Sequence, residues 1–247
     1  MGTRVALVTG GIGGIGTAIC QRLAKDGYRV VASYHPAEQD KIEPWVAARK
    51  AEGLDVGTVA GDVSSAEDSA RMVAAIQQQF GPVDVIVNCA GITRDKTFRK
   101  MDADSWGAVI NVNLNSVYNV TKPCWDGMLE RGFGRVINVS SVNGQRGQFG
   151  QTNYSAAKAG MHGFTMALAQ EGAAKGVTVN TISPGYVETA MTAAIREDVL
   201  KAIIDSVPMK RMGKPEEIAA TVAFLASDEA AYITGANLQI NGGLFMH

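Results

Sequence analysis

The sequence predicts an α/β fold: a single-domain, doubly wound parallel sheet of about seven strands with helices on both faces. Three observations carry this reading. Short β-branched apolar runs recur, each continuous, as in strands covered on both faces. Helix-period segments separate them. No linker-like, low-complexity or repeated stretch divides the 247 residues, a length that one substantial core accommodates.

Arg4–Thr9 is the first strand, and the segment after Gly16 (Ala18, Ile19, Leu23, Ala24) is helical to near Gly27. Tyr28–Ala32 is the second strand, followed by a helix from Glu38 to Gly53. Val56–Val63 is the third strand, Glu67–Phe80 a helix ended by Gly81-Pro82, and Val83–Asn88 the fourth strand. One long helical region, Ser105–Arg131, leads to the fifth strand, Arg135–Ser140. A second, Asn153–Lys175, closes at Gly176 before the sixth strand, Val177–Ile182. Glu188–Ser206 reads as helical, with a helical lid expected around residues 186–210. Pro215–Ala226 is a helix with proline at its start, and Asn237–Asn241 is the last strand.

Composition is that of a globular protein, 46% hydrophobic and 19% charged, and its net charge of −1 provides no field for nucleic acid or an anionic membrane. Cys20, Cys89 and Cys124 have neither metal-ligand spacing nor a paired framework, so no metal site is expected and a reducing compartment suits them. The N-terminal residues lack signal-peptide anatomy and no apolar run has membrane-spanning length. A cytoplasmic protein is the expectation.

Thr9-Gly10-Gly11-Ile12-Gly13-Gly14-Ile15-Gly16 sits between the first strand and first helix, as in a Rossmann-like dinucleotide site. Its glycines let backbone approach a pyrophosphate, while the helix N-terminus offers unpaired N–H groups and a favourable dipole. Two registers fit: Gly11, Gly13 and Gly16 match G-x-G-x-x-G, and Gly10, Gly14 and Gly16 match T-G-x-x-x-G-x-G. The second strand ends Ala32-Ser33-Tyr34-His35, without the carboxylate that would bind a ribose diol and repel a 2′-phosphate. NADP(H) is the cofactor expected, with Ser33 and Tyr34 as donors. Lys41 is either a phosphate contact or solvated surface.

Tyr154 and Lys158 lie four residues apart on one helix face. A tyrosine pKa of about 10 is high for proton exchange at neutral pH. A cation about 4 Å away contributes roughly 4 kcal/mol at an effective dielectric of 20, or about three pKa units. Lys158 is therefore expected to lower the Tyr154 pKa. Strand five ends at Ser140-Ser141 and strand four at Asn88-Cys89-Ala90-Gly91, both on the rim where open α/β sheets bind ligands.

The glycine loop, the Asn88–Gly91 turn, Asn113, Ser141, Tyr154, Lys158 and Pro184-Gly185, in this order across the whole chain, resemble the short-chain dehydrogenase/reductase family. The resemblance implies that Tyr154 is the general acid and that Ser141, thirteen residues before it, orients the carbonyl. It implies that Lys158 holds the nicotinamide ribose, that Asn113 supports a water-linked proton relay and that Ser140 is structural. By the same resemblance, Asp62-Val63 contacts the adenine, and Pro184, Gly185, Val187 and Thr189 close over the nicotinamide. Gly10, Gly11, Gly13, Gly14, Ile15, Gly16, Asn88, Ala90 and Gly91 complete the expected cofactor set. Two departures are Cys89, where many members carry asparagine, and the lack of a basic residue inside the glycine loop.

Further similarity, in Gly91–Asp95, Phe98–Met101, Val142–Tyr154, Thr165–Gln170 and Pro184–Tyr186, is to the NADPH-dependent branch that reduces 3-oxoacyl-CoA to (R)-3-hydroxyacyl-CoA in polyhydroxyalkanoate synthesis. An acyl-CoA is therefore the expected partner. Arg94, Lys96, Arg99 and Lys100 form a basic cluster suited to a phosphorylated carrier, or else a solvated face interleaved with Asp95, Asp102 and Asp104. Gln148, Gln151 and Tyr186 are placed to hydrogen-bond a thioester or pantetheine amide, and Phe149 with Tyr186 to bound a short acyl pocket. Arg94, Asp95, Lys100, Ser141, Gln148, Phe149, Gln151, Tyr154 and Tyr186 form the substrate set. An acyl-carrier-protein thioester would suit the same residues. A non-catalytic NADP(H) sensor is the competing class, although such a protein has no need of the serine, tyrosine and lysine together. The family's usual assembly makes a homotetramer the expectation, to which the apolar Leu244-Phe245-Met246 ending is suited.

Overall fold

The computed structural model describes residues 3–189, 192 and 196–246. Strands β1 (Val5–Val8), β2 (Arg29–Tyr34), β3 (Val56–Ala60), β4 (Val83–Asn88), β5 (Gly134–Val139), β6 (Val177–Pro184) and β7 (Asn237–Ile240) form a seven-stranded sheet in the order β3-β2-β1-β4-β5-β6-β7. Every neighbouring pair is parallel. Parallel strands need crossovers, and helices supply them on both faces. The architecture is a single Rossmann-like α/β domain, as the sequence predicts.

Successive strand side chains point to opposite faces. In β1, Ala6 and Val8 join a core with α1 (Gly14–Lys25) and the Pro215–Ala226 helix, while Val5 and Leu7 join a second core with α3 (Ala66–Phe80) and α5 (Ser116–Arg131). The interior of the sheet is therefore apolar on both sides, which is why its strands read as unbroken apolar runs.

Some helices differ from the sequence reading. The expected Glu38–Gly53 helix is a 3-10 segment, Pro36–Lys41, kinked within itself by non-helical angles at Glu38 and followed by α2 (Ile42–Ala51). The long Ser105–Arg131 region is α4 (Ala103–Ile110), a π-helical turn at Asn111–Asn115 and then α5. A short α6 (Asn143–Arg146) follows β5, and α7 (Thr152–Gly172) ends in a 3-10 turn. Of the expected Glu188–Ser206 helix, α8 spans Glu197–Ser206, and Val187 instead forms a parallel bridge with Gly213. Residues 190, 191 and 193–195 lie outside the described residues. The α9 helix (Pro215–Ala226) begins at its proline, as expected.

Polar side chains cross the interior beneath the carboxyl rim. Asn88 Nδ2 donates to Asn138 Oδ1 at 2.8 Å, Asn138 Nδ2 donates to Thr165 Oγ1 at 2.8 Å, and Thr165 Oγ1 lies 2.7 Å from Thr181 Oγ1. This line joins β4, β5, α7 and β6, and each of its members is buried. Buried donors that lose a partner cost about 1–3 kcal/mol. Asn138→Ala is therefore expected to destabilise the fold by about that amount, since groups on both sides lose a partner, although Asn88 keeps Thr121 and Thr165 keeps Thr181. The urea midpoint measures this, and an unchanged midpoint refutes the role given to the line.

Candidate active site

In the sheet order β1 and β4 are neighbours, and the chain leaves them toward opposite edges. Ligands of open α/β sheets bind at such a switch point. Here Thr9 Oγ1 accepts hydrogen bonds from the Cys89 and Ala90 N–H groups at 3.0 and 3.1 Å, drawing the two loops together. Gly10 has φ +60, and a Cβ there would lie 2.9 Å from Ala90 Cα. A Cβ at Gly16 would lie 2.2 Å from the Gly10 carbonyl oxygen. The close turn thus depends on Gly10 and Gly16, and Gly16 belongs to both registers.

A cleft of about 1070 Å³ runs from this turn to Tyr154. Gly10, Gly13, Gly14, Ile15, Gly16, Ser33, Tyr34, Lys41, Asp62, Val63, Ala90, Gly91, Lys158, Pro184, Gly185, Val187 and Thr189 line it. Two expected cofactor residues do not. Gly11 faces the sheet, where a Cβ would meet Ala32 Cβ at 2.6 Å, and Asn88 is buried in the polar line under the rim. His35, Glu38, Cys89, Asn143 and Thr192 also line the cleft without having been anticipated. The first two merely follow the second strand, and Asn143 lies two residues after Ser141.

The residues present fit a nicotinamide dinucleotide. Gly13 offers no side-chain cap to α1, leaving first-turn N–H groups for an anion. Ser33 Oγ, on the cleft, is buried without a hydrogen-bond partner. Tyr34 donates instead to Gln39 Oε1 at 2.7 Å, and Lys41 pairs with Glu38 at 2.9 Å. Asp62 Oδ1 accepts from the Ser64 N–H at 2.9 Å and so shapes its own turn.

At the other end, Ser141 and Tyr154 meet across the rim. Burial pushes the Tyr154 phenol up to about 12, a hydrogen bond with Ser141 opposes this, and the Asp95 charge adds to it. Burial likewise holds Lys158 down to about 8. Lys158 Nζ donates to the Val139 carbonyl at 2.7 Å and lies 5.6 Å from the Tyr154 ring centre. The expected lowering of the Tyr154 pKa by Lys158 is thus absent here. Removal from water is the largest cause for each group, and the ammonium is directed at a backbone carbonyl.

Asn113 is fully buried in the π-helical turn, where its Oδ1 accepts from the Ile92 N–H at 2.8 Å and its Nδ2 donates to the Ile92 carbonyl at 2.9 Å. Ser140 Oγ donates to the Lys158 carbonyl at 2.8 Å, away from the cleft chemistry. Of the expected substrate set, Asp95, Ser141, Gln148, Phe149, Gln151, Tyr154 and Tyr186 line the cleft. Arg94 and Lys100 do not: Arg94 donates to the neighbouring Thr93 carbonyl at 2.9 Å, and Lys100 sits exposed on a 3-10 turn. Lys96 is paired with Asp102. Among the described residues, no group of three or more His, Cys, Asp or Glu side chains could hold a metal ion, and no helix is long and apolar enough to cross a membrane.

A hydroxyl pair at the end of a dinucleotide cradle is the equipment of a nicotinamide-dependent oxidoreductase, and comparison with known proteins leads to the same class. A family model described as enoyl-(acyl carrier protein) reductase matches residues 10–245, and the chain belongs to the short-chain dehydrogenase/reductase family. It is 72% identical over 244 residues to an acetoacetyl-CoA reductase of Allochromatium vinosum, covering 99% of each chain. It is 57% identical over 246 residues to an acetoacetyl-CoA reductase of Cupriavidus necator, covering all of both. A 3-oxoacyl-(acyl-carrier-protein) reductase of Pseudomonas aeruginosa is 44% identical over 243 residues, covering 98% of each.

Two outcomes test this geometry. Gly16→Ala must displace the Gly10 carbonyl, so dinucleotide affinity, read by reduced-cofactor fluorescence, is expected to fall at least tenfold, about 1.4 kcal/mol. Lys158 sits below its ordinary pKa of 10.5, at about 8. The folded state therefore holds fewer protons than the unfolded state between these values, and this group's contribution to stability is lost as pH falls through that window. Wild-type unfolding free energy minus that of Lys158→Met is expected to rise by about 3 kcal/mol from pH 8 to 10.5. A flat difference refutes the burial argument.

Proposed function

We propose that this chain reduces acetoacetyl-CoA, a short 3-oxoacyl thioester, to the (R)-3-hydroxyacyl-CoA with NADPH as donor. The observation that carries the reading is the Ser141–Tyr154 hydroxyl pair at the end of the cleft that begins at the glycine loop. The names of the 72% and 57% identical relatives support the substrate. The lack of a carboxylate at Ser33-Tyr34-His35 supports NADPH.

A nicotinamide bound in the cleft supplies the hydride. Ser141 donates a hydrogen bond to the substrate carbonyl and holds it beside Tyr154. The Tyr154 phenol, raised to about 12 by burial, is protonated at neutral pH, and its hydrogen bond with Ser141 acts in the direction that eases release of the proton as the substrate oxygen gains charge. Lys158, predominantly an ammonium at pH 7, stabilises the phenolate left behind and binds the cofactor ribose. Asn113 fixes the Ile92 backbone against the π-helical turn and keeps the loop after β4 in place for proton resupply. Gln148, Gln151, Phe149 and Tyr186 bound the acyl end.

Acetoacetyl-CoA is expected to be turned over with NADPH preferred to NADH, and faster than its acyl-carrier-protein thioester. Tyr154→Phe is expected to lose about 10²–10⁴-fold in kcat with NADPH binding retained. NADPH oxidation and cofactor titration check both, and full turnover by Tyr154→Phe overturns the assigned acid.

A further inference from the structure

Asn143 is 8% exposed and has no role in the chemistry described above. Its backbone N–H donates to Ser141 Oγ at 3.1 Å. Its Nδ2 donates to Gln151 Oε1 at 3.0 Å, and Gln151 Nε2 donates in turn to Asp95 Oδ2 at 2.8 Å. Three rim segments meet in this chain: the loop after β4 at Asp95, the start of α6 at Asn143, and the N-cap of α7 at Gln151. Tyr154 is three residues beyond that cap, and the Gln151 carbonyl accepts the Ser155 N–H at 2.8 Å.

The chain runs in one direction for a chemical reason. A carboxylate only accepts hydrogen bonds. Asp95 therefore turns the Gln151 amide nitrogen toward itself and its oxygen toward Asn143, which must answer with its own NH₂. Asn143 Oδ1 is left buried without a hydrogen-bond partner. An orphaned buried acceptor is uncommon in a native interior, and here it accompanies an amide used entirely as a donor.

We infer that Asn143 is a positioning residue: the one-way chain Asp95–Gln151–Asn143 sets the Ser141 and Tyr154 hydroxyls at the separation carbonyl reduction needs. The inference rests on the proposed reading that these two hydroxyls hold the substrate carbonyl. Asn143 acts through Ser141 and the start of α7.

Asn143→Asp is nearly isosteric but only accepts, so carboxylates then flank Gln151 on both sides and one junction fails whichever way its amide turns. Adding Asp95→Asn closes the chain in reverse: Asn donates at position 95, Gln151 accepts there, and Gln151 donates to Asp at position 143. N143D is expected to lose about 10–100-fold in kcat with a 3-oxoacyl thioester. KM, NADPH affinity and melting temperature should stay near wild type, and N143D/D95N should recover most of the loss. If N143D does not fold, recovery of folded, active protein in the double variant is the supporting result. Wild-type kcat in N143D, a loss confined to KM, or a double variant no better than N143D overturns the inference. A wild-type enzyme inert toward every 3-oxoacyl thioester overturns the functional reading beneath it, which keeps the two failures apart.

Discussion

The proposed chemistry depends on how α7 docks against the carboxyl ends of β5 and β6, and that docking is polar. Buried Lys158 and Thr165, with half-buried His162 between them, follow one another at helical spacing. Ser140 Oγ reaches the Lys158 carbonyl and lies 3.0 Å from His162 Nε2, and Thr165 joins the line from Asn138 to Thr181. An apolar stripe tolerates sliding and repacking, whereas a satisfied polar network admits one register. Gly144 completes the fit, since a Cβ there would lie 2.8 Å from the Lys158 carbonyl carbon. The helix is thus fixed along its length, and its first turn delivers Tyr154 to Ser141.

This arrangement explains what could be read in the sequence. The strands were legible because a sheet covered on both faces requires unbroken apolar runs, and the glycine loop because its place between β1 and α1 is local. The π-helical turn at Asn111–Asn115 was not, because it accompanies Asn113 bonding to Ile92, twenty-one residues away. The same limit hid the burial of Asn88 and the inward turn of Gly11, both set by contacts across the sheet. Spacing alone brought Tyr154 and Lys158 to one face. It carried no information on solvent exclusion, and that decides the direction of both pKa shifts. Within the basic cluster, Lys96 finds Asp102 and Arg94 finds the Thr93 carbonyl, contacts made by loop folding that charge count does not reveal.

At the dinucleotide end the design is looser. Lys41 is 61% exposed in its pair with Glu38, and an exposed pair of this kind is worth about 0–1 kcal/mol. Under the NADPH reading, a dianionic phosphate can draw Lys41 from its carboxylate at small cost, while the unpartnered Ser33 Oγ needs no rearrangement to donate. Selectivity would then rest more on the missing acid after β2 than on a dedicated cation. That is consistent with a glycine loop that carries no basic residue.

The opposite shifts of Tyr154 and Lys158 have one cause, removal from water. Burial disfavours the charged form of each, raising the phenol to about 12 and lowering the amine to about 8. A phenol at its ordinary value is already protonated at neutral pH, so the upward shift adds nothing to its loading and makes it a weaker acid. Lys158 stays charged enough at neutral pH to oppose the developing phenolate, and the Val139 carbonyl offsets part of the cost of holding it out of water. Desolvation, the term that spacing could not reveal, thus sets a cost that the Ser141 hydrogen bond and the Lys158 charge would have to offset in the proposed proton transfer.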